Sequence, residues 1–411
     1  MLTPRPHFTT LPFAAHEPSA TPPASDGRAT EVTPATVDPI RQAQARRYAR
    51  QRQRLSAVGL ILTAIFVALL LFGGAGFALR DALAGVTSWQ PARGWDVWRV
   101  AVYFLIVATA GSLITLPTGF YGGYVLARRN GMSTQRLGSW LWDRLKGLAI
   151  SLPIDLAAVE FVYWLLAATP TTWWLWTGLA MLVFTALAAN LAPVILLPLF
   201  FKLTPLPEGE TRSRALALAQ VAGTRVRGIY SMNMSAKTTA ANAFVIGLGN
   251  TRRLVLCDTL LDNYTPDEIE VVVAHELGHQ AHRDIPKLIM VETVTTLAGL
   301  CLVNLFMHAV VGRVSAYHGL ADPATMPLIA AALGIFALIT MPVTNGYSRH
   351  VEHQADVYAL RVTGKRDAFI SAMVRLANQN LAELDPTRLI EFFLYSHPSV
   401  GSRIAFARNW G

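Results

Sequence analysis

The sequence predicts a mainly α-helical, polytopic membrane protein with about six spans and a small α+β insertion. Of its 411 residues, 53% are hydrophobic and only 15% are charged, whereas soluble domains average about 25% charged residues. Long apolar segments recur on both sides of a polar stretch at residues 202–287. That stretch combines helical spacing with alternating, β-rich segments, which indicates a small folded domain outside the membrane.

The predicted spans come from hydropathy, because a membrane-spanning helix needs about 20 mostly apolar residues. Asp155, Glu160 and Glu292 lie inside the predicted spans, and charged side chains at membrane depth are costly. We therefore expect these three residues to face a cavity or a partner. The six segments are Leu55–Leu79, Ala101–Ala127, Leu145–Ala168, Trp173–Phe201, Leu288–Gly312 and Met326–Val343.

Basic residues beside the spans predict the orientation, because Lys and Arg accumulate in cytoplasmic loops. Five arginines at 46–54 precede the first span, and five basic residues at 128–146 follow the second. With six spans, both sets are cytoplasmic, as are residues 202–287 and the chain from Thr344. We predict a multi-pass protein of the cell membrane. Much of the charge behind the net value of +9 lies in such flanks, so we expect membrane lipids and no nucleic acid as partners.

The predicted organisation follows from these segments. Residues 1–50 are rich in Pro, Thr and Ala and end in basic residues, which indicates a disordered tail. Cys257 and Cys301 have no CxxC neighbour, so we expect neither a disulfide framework nor a thiolate metal site. The remaining regions are 51–201 with four spans, 202–287 as the polar insertion, 288–343 with two spans, and 344–411 as a polar C-terminal part.

Within the insertion, the pattern predicts a helix at Gly209–Ala222. Strands are predicted near Ala241–Ile246 and Arg253–Leu256, with a turn at Gly247–Asn250 between them. A second helix start follows at Thr265–Glu268, where Thr can cap, Pro takes the first position and Glu completes a capping box.

The helix that starts there carries the sequence His-Glu-Leu-Gly-His at 275–279. On a helix, His275 and His279 share one face, so both imidazoles can reach one zinc ion. Glu276 lies beside that ion and is the candidate general base for activating a water. The alternative is two ordinary helix histidines flanking a glutamate, which the helical context makes the weaker interpretation.

A catalytic zinc usually has three protein ligands, so a later helix should supply the third. Glu352 and Asp356 share one helical face. We predict that Glu352 completes the site for one Zn²⁺ per chain and that Asp356 hydrogen-bonds a ligand histidine, fixing its tautomer. His350 and His353 are rival ligands. Without the first motif, a solvated charged face would be the better interpretation of this segment.

These residues resemble those of the type I CAAX prenyl endopeptidase family of membrane zinc proteases. The likeness covers roughly residues 60–410, and its motifs together are highly specific. Apart from the zinc motif, the segments that carry it are Tyr121–Gly147, Phe201–Glu210, Ser235–Phe244, Thr251–Leu261, Glu352–Asp356, and Ser396–Ser399 with Arg403.

The resemblance implies membrane helices that enclose a water-filled chamber, with the zinc site facing inward. It implies hydrolysis of a peptide bond near the C-terminus of a peptide or protein substrate, which is prenylated for the family's eukaryotic members. It also implies that His397 and Arg403 are the catalytic donors to a developing oxyanion. Asn242, Ala243 and Phe244 would bind substrate, by strand addition if they form an edge strand. From the residues alone, His397 is merely a histidine before a proline, and Asn242 a strand residue at a turn.

Three alternatives remain. A membrane quality-control metalloprotease would have a similar site but would act on damaged membrane proteins. A site-2-type intramembrane protease needs the zinc motif within a span, and charged residues from Asp267 to Asp284 argue against that. A non-catalytic membrane scaffold or transporter is disfavoured by the intact His-Glu-x-x-His pattern.

Overall fold

The computed structural model describes residues 35–85, 95–247 and 251–410, which are mainly helical. A π-helical turn at Tyr121–Leu126 joins the helices at Val97–Phe120 and Ala127–Arg129. The helices are α1 (Pro39–Leu71), α2 (Ala75–Ala82), α3 (Val97–Phe120), α4 (Ala127–Arg129), α5 (Leu137–Ala168), α6 (Trp173–Phe200), α7 (Glu210–Val221), α8 (Asp258–Leu261), α9 (Pro266–Ala281), α10 (Asp284–Val311), α11 (Met326–Thr363), α12 (Arg366–Gln379), α13 (Arg388–Leu394) and α14 (Val400–Arg408).

Among the described residues, 6 helical segments are long and apolar enough to cross a membrane, which confirms the predicted number. They correspond to α1, α3 with its continuation to Arg129, α5, α6, α10 and α11. Many of their large apolar side chains are exposed, among them Leu113, Val183 and Ile339. Such exposure is expected of helices whose surroundings are lipid.

The first span differs from its prediction at both ends. α1 begins at Pro39, where the Asp38 side chain accepts hydrogen bonds from Ile40 N and Arg41 N. Residues 39–50 are therefore helical, and the tail predicted for 1–50 was wrong there; residues 1–34 lie outside the described part. α1 ends at Leu71, since Gly74 has a φ of 73° and redirects the chain into α2. The predicted span Leu55–Leu79 therefore covers parts of two separate helices, α1 and α2.

The acidic residues inside the spans have different surroundings. Glu160 accepts a hydrogen bond of 3.1 Å from Trp95 Nε1, so it has the expected partner. Asp155 and Glu292 are exposed on their helices.

The polar insertion contains a four-stranded sheet with the strand order β1-β2-β4-β3. β1 (Leu203–Pro205) and β3 (Ala243–Ile246) are edge strands, while β2 (Gly228–Met232) and β4 (Arg253–Cys257) lie between them and are parallel. β3 runs antiparallel to β4. The predicted helix at 209–222 and the two predicted strands are confirmed, whereas β1 and β2 were not predicted. Most of the predicted turn, residues 248–250, lies outside the described residues.

The helix with the His-Glu-Leu-Gly-His sequence, α9, packs into the main core of the polar part. Its capping box is confirmed: the Thr265 side chain accepts from Glu268 N, and Glu268 accepts from Thr265 N. Its apolar face, with Val271, Val273 and Leu277 fully or almost fully buried, contacts the sheet, α11 and α12. A Cβ on Gly278 would lie 3.3 Å from Ala355 Cα, so α9 and α11 approach closely here.

Both polar parts are continuous with membrane-length helices. α9 leads into α10 through His282 and Arg283, and Arg283 takes the left-handed conformation with a φ of 55°. α11 runs without a break from its apolar first half into the segment that carries Glu352 and Asp356. The predicted boundaries at 287/288 and 343/344 therefore fall inside single helices, which fixes the polar side chains to the spans.

Candidate metal centre and active-site cleft

Three side chains from two helices converge at one point. His275 and His279 lie on α9 and Glu352 lies on α11, and one ligand atom from each falls within 4.8 Å of the others. His275 Nε2 is 3.3 Å from Glu352 Oε2, and His279 Nε2 is 3.6 Å from Glu352 Oε1. All three predicted ligands are thus brought together, with both Nε2 atoms directed at the carboxylate.

The other ring nitrogen of each histidine is held by a buried aspartate. His275 Nδ1 lies 2.9 Å from Asp356 Oδ1, and His279 Nδ1 lies 3.0 Å from Asp284 Oδ2. Each aspartate side chain is only 1% exposed. A carboxylate at Nδ1 favours the tautomer with the proton there, which leaves the Nε2 lone pair for a metal. Asp356 was predicted for this position, whereas Asp284 was missed.

The donor set fits a divalent cation. Two imidazoles and one carboxylate are the ligands of many catalytic zinc sites. Among the described residues, the buried Glu352 Oε2 atom makes no well-aligned hydrogen bond, although His275 Nε2 lies 3.3 Å from it. Burial lowers the pKa of His275, but the carboxylates of Asp356 and Glu352 outweigh this effect and raise the pKa to about 9. The carboxylates thus stabilise positive charge here, which a bound metal ion would supply.

Glu276 follows the first ligand and lines the same cleft. Burial raises the pKa of Glu276 to about 7, because the charged carboxylate is removed from water and Glu352 repels it, although His275 opposes the change. A carboxylate that titrates near neutral pH is suited to both taking up and returning a proton.

Two residues from the C-terminal part border the centre. His397 Nε2 is 3.2 Å from Glu352 Oε1, and its side chain is 62% exposed towards the cleft. Arg403 donates to both oxygens of Asp356, from Nε at 2.9 Å and from Nη2 at 2.6 Å. His397 is therefore available to a substrate, whereas Arg403 holds the aspartate that orients His275.

A cleft of about 540 Å³ opens over the three candidate metal ligands. Asn242, Ala243 and Phe244, at the start of edge strand β3, form one side of it. Apolar side chains such as Met373 and Leu376 of α12 form another part of the wall. Within the described sheet, the outer edge of β3 pairs with no other strand and lies beside the candidate ligands and Glu276, as peptide binding by strand addition requires.

The rival ligands lie apart from this centre. His350 Nε2 is 3.0 Å from the Gln354 side-chain amide, and the His353 ring packs edge-on against Phe406 with centroids 4.5 Å apart. The structure therefore favours Glu352 over both. The missed Asp284 carries one signal in the sequence, since it stands five residues after His279, but its contact depends on the left-handed Arg283.

Two family models match this chain. The sequence model of peptidase family M48 matches residues 205–411. The model for the N-terminal region of CAAX prenyl proteases, described as five membrane helices, matches residues 28–202. In the described part of that range, the structure has four membrane-length helices and the short α2.

Individual relatives span most of the chain. The uncharacterized metalloprotease YhfN of Bacillus subtilis is 30% identical over 95% of this chain and 91% of its own length. CAAX prenyl protease 1 of Saccharomyces cerevisiae is 26% identical over 73% of this chain and 70% of its own length. The crystal structure of S. mikatae Ste24p has a TM-score of 0.77 at 22% identity, covering 90% of this chain and 89% of that one, and so shares the fold.

The membrane-length helices and the family matches together define an integral membrane metalloendopeptidase. The chain belongs to peptidase family M48 and carries the N-terminal region of the CAAX prenyl proteases. The predicted resemblance to that family is thereby confirmed. Its substrate is a peptide or protein.

Proposed function

We propose that this protein is a zinc endopeptidase that cleaves near the C-terminus of CAAX-type, prenylated substrates. The observation that carries the proposal is the convergence of His275, His279 and Glu352 in a cleft lined by Glu276. One zinc ion per chain, when bound by these three side chains, supplies a polarised water and an electrophile for the substrate carbonyl.

The protein's own residues perform the remaining chemistry. Glu276 takes the proton from the attacking water and delivers it to the leaving amine. His397 donates to the developing oxyanion, which its exposed position above Glu352 allows. Arg403 acts through Asp356, since both carboxylate oxygens accept from its guanidinium. The β3 edge at Asn242–Phe244 aligns the peptide backbone across the cleft.

The membrane setting is part of the proposal. Two spans, α10 and α11, separate the polar parts, which supports placing both on one face of the cell membrane. The basic flanks favour the cytoplasmic face. The spans surround a water-filled chamber, which would hydrate the exposed Asp155 and Glu292. Membrane lipids contact the outer, apolar helix surfaces. CAAX specificity is supported by the match of residues 28–202 and by relatives named CAAX prenyl protease 1.

The test uses detergent-solubilised protein and two peptides of one sequence, a farnesylated CAAX peptide and its unprenylated form. We expect hydrolysis of the farnesylated peptide, loss of activity with a chelator and recovery with zinc. Equal turnover of the unprenylated peptide and of an unfolded membrane protein would favour a quality-control protease. A purified protein that contains no metal and cleaves neither peptide would favour the non-catalytic alternative.

A further inference from the structure

Asn380, at the C-terminal end of α12, binds the backbone of a single residue through both ends of its side-chain amide. Its Oδ1 accepts from Ala241 N at 2.8 Å, and its Nδ2 donates to Ala241 O at 3.0 Å. A neighbouring β-strand makes the same pair of hydrogen bonds with one residue of its partner. The side chain thus takes the place of a strand beside Ala241.

The clamped residue stands directly before the cleft-lining segment of β3. Asn242 O accepts from Cys257 N at 3.1 Å, so residue 242 pairs with β4. Because antiparallel strands alternate, the backbone of Ala243 faces the open edge of the sheet. β3 has only 4 residues, and its open edge has no further strand in the described sheet to hold its start in place.

The surrounding contacts fix Asn380 itself. Its backbone N–H donates to Leu376 O at 2.9 Å, closing the last turn of α12. Leu381 then takes a φ of 48°, which turns the chain away and leaves the amide beside Ala241. Asn380 also lines the same cleft as His275 and Glu352. A direct polar link therefore joins the end of α12 to the residue at which the substrate edge begins.

We propose that Asn380 is a positioning residue that sets the register of the β3 edge for the peptide backbone. The inference rests on the proposed function, because it assumes that a peptide pairs with this edge. By holding Ala241, the amide keeps the Ala243 backbone in line with an incoming strand. The Ala243 N–H donates to Asn242 Oδ1 at 2.9 Å, so an incoming strand that pairs with this N–H would take the place of that side chain. The substrate feature that Asn380 acts on is the peptide backbone, and the side chains of the substrate are read elsewhere in the cleft.

Asn378 provides a matched control on the same helix. Its side-chain amide also makes two hydrogen bonds to one backbone segment: it donates to Thr36 O at 3.0 Å and accepts from Asp38 N at 3.3 Å. That segment leads into α1 and lines a different cavity. Asn380→Asp and Asn378→Asp each keep the volume and one acceptor, but each places a carboxylate oxygen against a backbone carbonyl.

Kinetics with the farnesylated peptide give the first measurement. We expect Asn380→Asp and Asn380→Ala to raise KM about tenfold with kcat within about twofold. Asn380→Ala loses both hydrogen bonds to Ala241, Asn380→Asp replaces the one to Ala241 O by a repulsion, and neither touches the metal ligands. Asn378→Asp should leave KM within about twofold of the unsubstituted protein. A backbone N-methyl scan of the peptide should find one position whose methylation weakens binding in the unsubstituted protein and has a smaller effect in Asn380→Asp.

Hydrogen–deuterium exchange of residues 239–247 gives a second measurement that needs no substrate. Asn380→Asp should speed exchange in this segment at least about tenfold, and Asn378→Asp should not. Unchanged exchange overturns the inference even if the enzyme is active. Equal KM effects of the two Asp variants, or a fall in kcat with loss of zinc, also overturn it, because both indicate a general structural role. If Asn380→Asp speeds exchange but the unsubstituted protein cleaves no peptide, the proposed function is contradicted, while the hold of Asn380 on Ala241 is supported.

Discussion

His279 and Asp284 form the residue-scale contact that the chemistry of the centre depends on most directly. Asp284 Oδ2 is 3.0 Å from His279 Nδ1, and the carboxylate is almost fully buried. We expect Asp284→Ala to weaken zinc binding about 10–100-fold, because the imidazole loses the acceptor that fixes its tautomer and ring orientation. Competition with a chromogenic chelator measures the affinity.

The control for this change is Lys287→Ala. Lys287 Nζ contacts the other oxygen of Asp284 at 3.3 Å and is 47% exposed, so its removal should leave zinc affinity nearly unchanged. Full zinc affinity in Asp284→Ala would contradict the orienting role.

Glu276 separates metal binding from catalysis. Its carboxylate lies in the cleft but outside the group of ligands. We expect Glu276→Gln to keep one zinc per chain and to lower kcat by at least about 10²-fold, because the amide cannot take up the proton of the attacking water. His275→Ala, in contrast, should lose the metal as well. Retained hydrolysis in Glu276→Gln would remove this residue from the role of base.

At the scale of elements, the distance between α9 and α11 sets the geometry of the centre. A Cβ on Gly278 would lie 3.2 Å from Tyr358 Cβ and 3.3 Å from the backbone atom Cα of Ala355. We expect Gly278→Ala to push the helices apart, since overpacking typically costs about 1–3 kcal/mol. The variant should therefore bind zinc more weakly and have a lower thermal unfolding midpoint.

Gly334→Ala on α11 is the comparison for this prediction, because no described atom outside its own stretch of helix lies within 4 Å of its Cβ position. It should retain zinc binding and show no loss of stability. If both alanine variants behave alike, close approach of α9 and α11 is not what Gly278 provides.

The first turn of α9 contains two neighbouring acidic residues, the buried Glu268 and the exposed Asp267. The Glu268 side chain is 2% exposed and accepts from Thr265 N, Ser371 Oγ and Arg375 Nε. The Asp267 side chain is 53% exposed. We expect Glu268→Ala to cost at least about 2 kcal/mol of the free energy of unfolding, because it leaves buried donors unpaired. Asp267→Ala should cost at most about 1 kcal/mol.

Thermal unfolding in detergent, followed for both variants at one pH above 6, compares these costs. Equal shifts in the two midpoints would mean that burial of the capping glutamate contributes nothing beyond a surface charge.

The elements that the sequence predicts well are those with local signals. The α9 start and the His275–His279 spacing depend only on helical periodicity, and the pairing of Glu352 with Asp356 follows from the same rule. β1 and β2 were missed because three- and five-residue strands acquire their stability from partners distant in sequence. Asp284 and Asn380 were missed for a related reason. The contact of each depends on the positive φ of a neighbour, Arg283 for Asp284 and Leu381 for Asn380, which the sequence does not predict.

At the scale of the whole molecule, the three candidate metal ligands have little freedom to move relative to the spans. α9 passes into α10 through two residues, and α11 continues unbroken from its apolar half to Asp356. The depth of the site is therefore set by where α10 and α11 leave the membrane. The same continuity made the predicted division into separate membrane and protease regions less distinct than the hydropathy pattern suggested.

The even number of spans leads to a prediction about topology. If all six helical segments cross the membrane, the start of α1, the end of α14 and α9 lie on one face, while the connection at 312–325 between α10 and α11 lies on the other. We expect peptide tags at the two ends to be digested by added protease in inverted membrane vesicles and protected in right-side-out ones. A tag inserted after His318 should behave in the opposite way. Ends digested from different faces would mean an odd number of spans and would contradict the six-span topology.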